Sequence, residues 1–389
     1  MNRWSGLFFL LVGVTFVFTG CLSPSIPSPS TRASDWTIMV FMNGDNDLVQ
    51  DAWQDLNSME VVGSTERIKI VVQMDTPTEG TYRYFVTQDS DPNRVTSPVL
   101  ESLGKVDMGD YRALIDFVRF CVRNYPASRY ALVLWNHGGG FRKRDISFDF
   151  STGNAITIPQ LAYALSQIKS ILGKDLDLLG MDACLMAMVE VAYEAQEYAR
   201  VMVASEESVP GEGWDYAGFL QALVNAPSMG SRDLAQVIAD TYVDSYLRAS
   251  VTQSVIDLKK VGTLGQDLDA LAQAVLSDSL TPPVLYLYVG DQTFYFGDYD
   301  FVDLGNLLEL WQAWPTIQDS TVKERARVAR ESLRQVVLYE RNNLGKSLGG
   351  LSVYFPYKSY DAKYDTLSFA SSTRWDDMVK YLLRYRQNR

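Results

Sequence analysis

Residues 131–140 read ALVLWNHGGG and residues 175–184 read DLDLLGMDAC. Each is an apolar run of strand length that stops abruptly at polar or glycine residues, the pattern of a strand buried on both faces and released into a loop. The runs WTIMVFM (36–42), RIKIVVQM (67–74) and VMVAS (201–205) read the same way. Between them lie stretches of helical spacing. Residues 46–61 put Val49, Ala52, Leu56 and Met59 on one side, and residues 110–125 do so with Leu114, Ile115, Val118, Cys121 and Val122. A third helix is expected at about 158–172, and a fourth from Cys184 to about 199. Strands alternating with helices predict an α/β fold whose mostly parallel sheet carries helices on both faces. Residues 82–86 read as an added edge strand. Beyond about residue 227 the chain is mostly amphipathic helix, with VTQSVIDL (251–258), VLYLYV (284–289) and GLSVYF (350–355) as further strands. The expected organisation is a catalytic core over 36–226 and a helix-rich region over 227–389 that completes it or packs on it.

The first twenty residues stand apart from this pattern. Arg3 precedes the apolar stretch from Leu7 to Phe18, and the small residues Thr19-Gly20 precede Cys21. That is a secretory signal, too short to span a bilayer comfortably. The placement of Cys21 resembles the lipobox of bacterial lipoproteins, which implies lipidation there and an extracytoplasmic chain anchored to a bacterial cell membrane. Residues 21–35 are rich in Pro and Ser and read as a tether.

The composition of the 389 residues, 47% hydrophobic and 21% charged, is that of a globular protein. A net charge of −12 excludes nucleic acid as a partner, since phosphate contacts need a basic face, and suits basic peptides. With Cys21 committed to lipid, only Cys121 and Cys184 remain, so a disulfide scaffold is excluded. Cys121 lies on the apolar stripe of its helix and reads as a buried core thiol.

His137 is the only histidine in the chain. A zinc site of His/Cys type would need more ligands than one histidine and two separated cysteines supply. Three glycines follow His137, just past a buried strand, where the carboxyl ends of parallel strands form active sites. Cys184 has the matching place at the end of another strand, where a helix N-terminus would favour a thiolate. A serine-hydrolase reading of HGGG with Gly345-Lys346-Ser347-Leu348-Gly349 fails on chain order, because no histidine follows the serine. A phosphate loop at the same stretch fails because residue 340 is Glu, not Gly.

The blocks MVFMNGDNDL (39–48), LVLWNHGGG (132–140), GMDACLMAMVEVAYE (180–194), VASEESVPGEGWDY (203–216) and GLSVYFP (350–356) resemble the clostripain-like cysteine peptidases of the caspase–gingipain–legumain superfamily. The resemblance implies a caspase-like sheet and a Cys–His dyad that cleaves peptide bonds after Arg or Lys. By it, Cys184 is the nucleophile, His137 the acid and base, and the N–H groups of Gly138 and Cys184 the oxyanion hole. A basic substrate side chain needs a carboxylate, and Asp182 and Glu212 stand at the matching places. Relatives that cleave themselves between the His and Cys blocks make Arg142, Lys143 and Arg144 candidate self-cleavage points. The expected partners are therefore protein or peptide substrates with basic residues, and the membrane.

The reaction requires no cofactor. Calcium dependence among relatives makes the oxygen-rich stretches Asp45-Asn46-Asp47 and Asp298-Tyr299-Asp300 worth testing as calcium loops, although neither is an EF-hand. The competing reading is a catalytically inactive lipoprotein that uses the same fold to bind peptides or a protein.

Overall fold

The computed structural model describes Met1 and residues 33–142 and 145–387. The signal stretch, Cys21, most of the tether, Lys143 and Arg144 lie outside the described residues.

In chain order the strands are β1 (Ser34–Asn43), β2 (Ile68–Thr76), β3 (Gly80–Phe85), β4 (Val99–Gly104), β5 (Ala127–Trp135), β6 (Leu176–Asp182), β7 (Ala199–Ala204) and β8 (Thr252–Asp257). They are followed by β9 (Tyr295–Phe296), β10 (Asp298–Asp303), β11 (Val337–Asn342) and β12 (Ser352–Tyr354). A nine-stranded sheet has the order β11-β8-β7-β6-β5-β1-β2-β3-β4, and a small sheet has the order β12-β10-β9. The five central strands, β7 to β2 in that order, run parallel, and antiparallel strands extend both edges. This is the expected mostly parallel α/β architecture.

The helices are α1 (Val49–Glu60), α2 (Tyr111–Asn124), α3 (Ile158–Leu172), α4 (Val189–Ala195), α5 (Tyr216–Asn225) and α6 (Ser231–Ser245). Then come α7 (Val261–Ser277), α8 (Pro283–Gly290), α9 (Leu304–Ala313), α10 (Ser320–Val336), α11 (Ser368–Ser372) and α12 (Trp375–Gln387). Period-two alternation sends Met39, Phe41, Leu132, Leu134, Leu179 and Met181 to one face, against α2, α3 and α7. Ile38, Val40, Met42, Val133, Trp135 and Leu178 go to the other, against α1, α5 and α6. Each fully buried Leu, Ile or Val contributes roughly 1.5–3 kcal/mol, which is why strands covered on both faces are continuously apolar. Helix α3 starts where a capping box satisfies its first N–H groups, Thr157 Oγ1 accepting from Gln160 N and Gln160 Oε1 from Thr157 N. It ends at Gly173, in the left-handed region at φ 67°.

Two expectations are corrected. VLYLYV is helix α8, not a strand. Pro282-Pro283 opens it with a φ suited to a first helical turn, and a short run that is apolar all round carries no period to separate helix from strand. Strand β3 is not the sheet edge either, because β4 pairs outside it. β4 is exposed along much of its length and shows no apolar run to betray it.

The segment beyond residue 227 supplies β8 and β11 to the main sheet. It also supplies the small sheet, which braces the chain after β6: Ser352 N donates to Ala187 O at 2.9 Å, and Met188 bridges Ser352. Among the described residues no helix is long and apolar enough to cross a membrane.

Candidate active site

Parallel pairing sets the site. Met42 pairs with Trp135 and Trp135 with Asp182, so β1, β5 and β6 end side by side and release their loops at one edge. Asn136 laces the loops together, its Nδ2 donating to Asn43 O at 2.6 Å and to Phe148 O at 3.3 Å. A Cβ on Gly138 would lie 2.4 Å from Cys184 O and 3.1 Å from Cys184 N. Only glycine lets the loop that carries His137 rest directly on the loop that carries Cys184.

Cys184 does not open a helix. Leu185 follows it in the left-handed region at φ 62°, and α4 begins only at Val189. Residues 186–188 cannot be helical because they are pinned as extended chain, with Ala187 N on Ser205 O and Ala187 O on Ser352 N, both at 2.9 Å. The helix dipole expected to favour a thiolate is thus displaced. Instead, burial pushes the Cys184 thiol up, and the N–H groups of Val209 and Gly138 offset this in part. Val209 N donates to Sγ at 3.2 Å. The upward shift makes a base necessary to draw off the proton. Cys121 is fully buried in the core, as its helical stripe predicts.

His137 has a partner that the sequence reading missed. Its Nε2 lies 2.7 Å from Asp47 Oδ1, and its ring stacks on Phe150 with centroids 6.3 Å apart and planes 15° from parallel. A carboxylate accepts, so Nε2 is the protonated nitrogen and Nδ1 is left for chemistry. Asp47 is presented by a turn that Asn46 holds, Oδ1 accepting from Leu48 N at 2.8 Å and Nδ2 donating to Asn43 O at 3.0 Å.

Beneath Cys184 lies Asp182, 3% exposed. Its Oδ2 accepts from Trp214 N at 3.1 Å and Tyr216 OH at 3.0 Å, while Oδ1 is buried without a hydrogen bond. Burial pushes its carboxyl up to about 7. A second buried carboxylate, Asp55 of α1, is 5% exposed and accepts from Trp135 Nε1 at 2.7 Å. Burial, then the charge of Asp182, pushes Asp55 well above the carboxylate range. Asp55, Glu212, Gly213, Trp214 and Tyr246 line a cavity of about 670 Å³. The structure therefore gathers His137, Gly138, Cys184 and Asp182, and sets Glu212 on the wall of the adjoining cavity. Asp47 and Asp55 lie far from their partners in sequence, and their only signal was the polar turn after β1 and an acidic position on the inner side of α1.

Arg142 is enclosed rather than displayed. Its guanidinium donates to Asp298 Oδ2 and Asp300 Oδ2, each at 2.6 Å, and lies over the Tyr354 ring at 5.2 Å. Those carboxylates raise its pKa further, against its own burial.

Both oxygen-rich stretches carry a salt bridge to a cation of the protein. Asp298 and Asp300 already hold Arg142. Asp45, Asp75 and Asp149 converge closely enough to hold a metal ion, and the ammonium of Lys105 pairs with two of them, 2.6 Å from Asp45 and 3.3 Å from Asp75.

A family model described as the clostripain family, Peptidase C11, matches residues 40–382. Clostripain of Hathewaya histolytica is 24% identical over a 408-residue alignment that covers 85% of this chain and 76% of that protein. A secreted C11 cysteine protease from Bacteroides thetaiotaomicron, solved with an irreversible peptide inhibitor, superposes with a TM-score of 0.69 at 21% identity. That match covers 88% of this chain and 100% of the other. An inactive zymogen C11 protease from Parabacteroides distasonis gives 0.69 at 18% identity, over 90% and 99% of the two chains. These structural likenesses establish the fold.

Proposed function

The chain belongs to the clostripain family of cysteine-type endopeptidases, and from that premise we propose that Cys184 and His137 cleave peptide bonds after Arg or Lys. The observation that carries this reading is the seating of Gly138 on the Cys184 backbone, which brings the histidine loop against the cysteine loop, two residues beyond the buried Asp182.

In the proposed reaction, His137 Nδ1 takes the Sγ proton of Cys184, and the thiolate attacks the scissile carbonyl carbon. The oxyanion accepts from the N–H groups of Gly138 and Cys184. His137 then returns the proton to the leaving amine, the C–N bond breaks, and a thioester remains. Water, deprotonated by the same nitrogen, attacks the thioester and releases the acid with the Cys184 thiol restored. No metal or cofactor enters.

Asp182 supplies the charge for the basic side chain, and Glu212 acts from the cavity wall. Lipidation at Cys21 would hold the enzyme outside the cell on a membrane, in line with the secreted relative, where it meets protein substrates. Self-cleavage is proposed after Lys143 or Arg144 rather than Arg142, whose side chain would have to leave its two carboxylates to enter a substrate pocket.

The full chain in detergent should be incubated with fluorogenic peptides ending in Arg, Lys, Asn or Asp. Turnover of the Arg and Lys peptides, lost in Cys184→Ala, is the expected result. Activity surviving in Cys184→Ala would end the dyad assignment, and binding without turnover would favour an inactive peptide-binding role.

A further inference from the structure

The cavity lined by Asp55, Pro210 and Glu212, next to the Val209 N–H that reaches Cys184 Sγ, contains more negative charge than one carboxylate pocket needs. A Cβ on Gly213 would lie 2.9 Å from Asp182 Oδ2 and 3.0 Å from Asp55 Oδ2, so those oxygens are within about 6 Å of each other, on either side of one backbone position. Each carboxylate accepts through Oδ2 from neutral donors, Trp135 Nε1 for Asp55 and Trp214 N with Tyr216 OH for Asp182. The charges that act on Asp55 are those of Asp182, Asp51 and Glu212, all negative. Tyr242 and Tyr246 face the pair from the α6 side and bring no positive charge. Arg248 also lines the cavity, but as an exposed residue at its rim.

Two buried carboxylates at this spacing are unfavourable unless a proton or a cation joins them, because burial costs each charge its hydration and like charges add to that cost. Elsewhere this protein solves the problem internally, with Lys105 among Asp45 and Asp75 and Arg142 between Asp298 and Asp300. Among the described residues neither Asp55 nor Asp182 has a salt bridge, and Asp55 opens onto the cavity wall.

We propose that Asp55 is a second specificity-determining carboxylate, and that the substrate's guanidinium is held between Asp55 and Asp182. This rests on the reading of the cavity as the site for a basic side chain. Two carboxylates present more acceptors than the three donors of an ammonium can use. A guanidinium offers five donors in a planar fork and can engage both. Asp55 thus selects arginine over lysine. Its place on α1 also explains why one helix turn beyond the β1 loop is carboxylate rather than apolar on its inner side.

The test compares wild-type full chain with Asp55→Asn on matched peptides carrying Arg, Lys or citrulline before the scissile bond. Asn keeps the size and can still accept from Trp135. The expected result is a fall of at least tenfold in kcat/KM for Arg, carried mainly by KM. The fall for Lys should be smaller, and the citrulline peptide should be unchanged or improved. An Arg-to-citrulline ratio equal to that of wild type would overturn the proposal. Should the Asn variant fail to fold, Asp55→Ser repeats the same ratio in a smaller side chain. A wild-type enzyme that favours neither Arg nor Lys over citrulline would instead overturn the basic-residue reading itself, and the two failures are told apart.

Discussion

His137 Nε2 lies 2.7 Å from Asp47 Oδ1, so the chain's only histidine is held from the loop after β1 through one nitrogen, and Nδ1 stays outside that contact. Phe150 closes one face of the ring, and its own N–H donates to Asp45 O at 2.9 Å, so both contacts trace back to the same loop. An imidazole gripped at one edge and one face loses little orientation when substrate arrives.

Asp47→Ala should lower kcat by about ten- to a hundredfold with KM changed less than about twofold, a share of what general acid–base catalysis supplies. The loss should be larger for amide substrates, whose leaving amine needs a proton, than for p-nitrophenyl esters, whose leaving group does not. Steady-state kinetics on both substrate types check this. Equal losses on the two would show that Asp47 only supports the fold.

Binding of a basic substrate should weaken as pH falls. Burial raises the Asp182 carboxyl to about 7, so below that pH the free enzyme holds a proton where the substrate's cation must sit. KM for an Arg peptide is expected to rise up to about tenfold per unit below pH 7, while a citrulline peptide lacks this limb. Asp182→Asn should lose Arg turnover and the limb together. KM measured for both peptides between pH 5 and 8 decides the matter.

Stability should also fall on going from pH 5 to 8. Burial raises Glu190 and Asp182 to about 7, and Asp145 and Asp303 to about 6. Folded pKa values above the unfolded ones mean that the folded chain binds more protons in this window. The stabilisation they supply is complete below about pH 4 and is lost as pH rises through 6 to 7. The melting temperature at pH 5.5 should exceed that at pH 8 by a few degrees, and Glu190→Gln should flatten the slope. A melting temperature that climbs toward pH 8 would contradict this.

Arg142 should prove a structural staple. Arg142→Ala leaves Asp298 and Asp300 side by side without their cation, which is expected to cost about 3 kcal/mol in denaturant unfolding. In wild-type enzyme, mass spectrometry of self-cleaved chains should find new ends after Lys143 or Arg144. A major new end after Arg142 would refute the assignment.

The strands of the central sheet were legible in sequence because burial on both faces demands unbroken apolar runs, and α3 was legible from its helical spacing, with Thr157 and Gly173 found at its ends in the fold. The placement of His137 and Cys184 just beyond two such strands followed from the same runs. Parallel neighbours end at one edge, so the two residues had to emerge together. What tertiary structure alone decided was everything that depends on a partner distant in the chain. The segment after Cys184 is extended rather than helical because Ser205 and Ser352 claim its backbone. The apolar run in α8 became helix through the prolines before it and the packing around it. Asp47 reaches His137 across 90 residues, and Asp55 meets Asp182 because α1 packs on the face of the sheet next to α5. Local pattern reports which groups must leave water. Which charges then face one another is set by how the sheet brings its loops together, and that left the Cys–His pairing readable in the sequence and its two supporting carboxylates hidden.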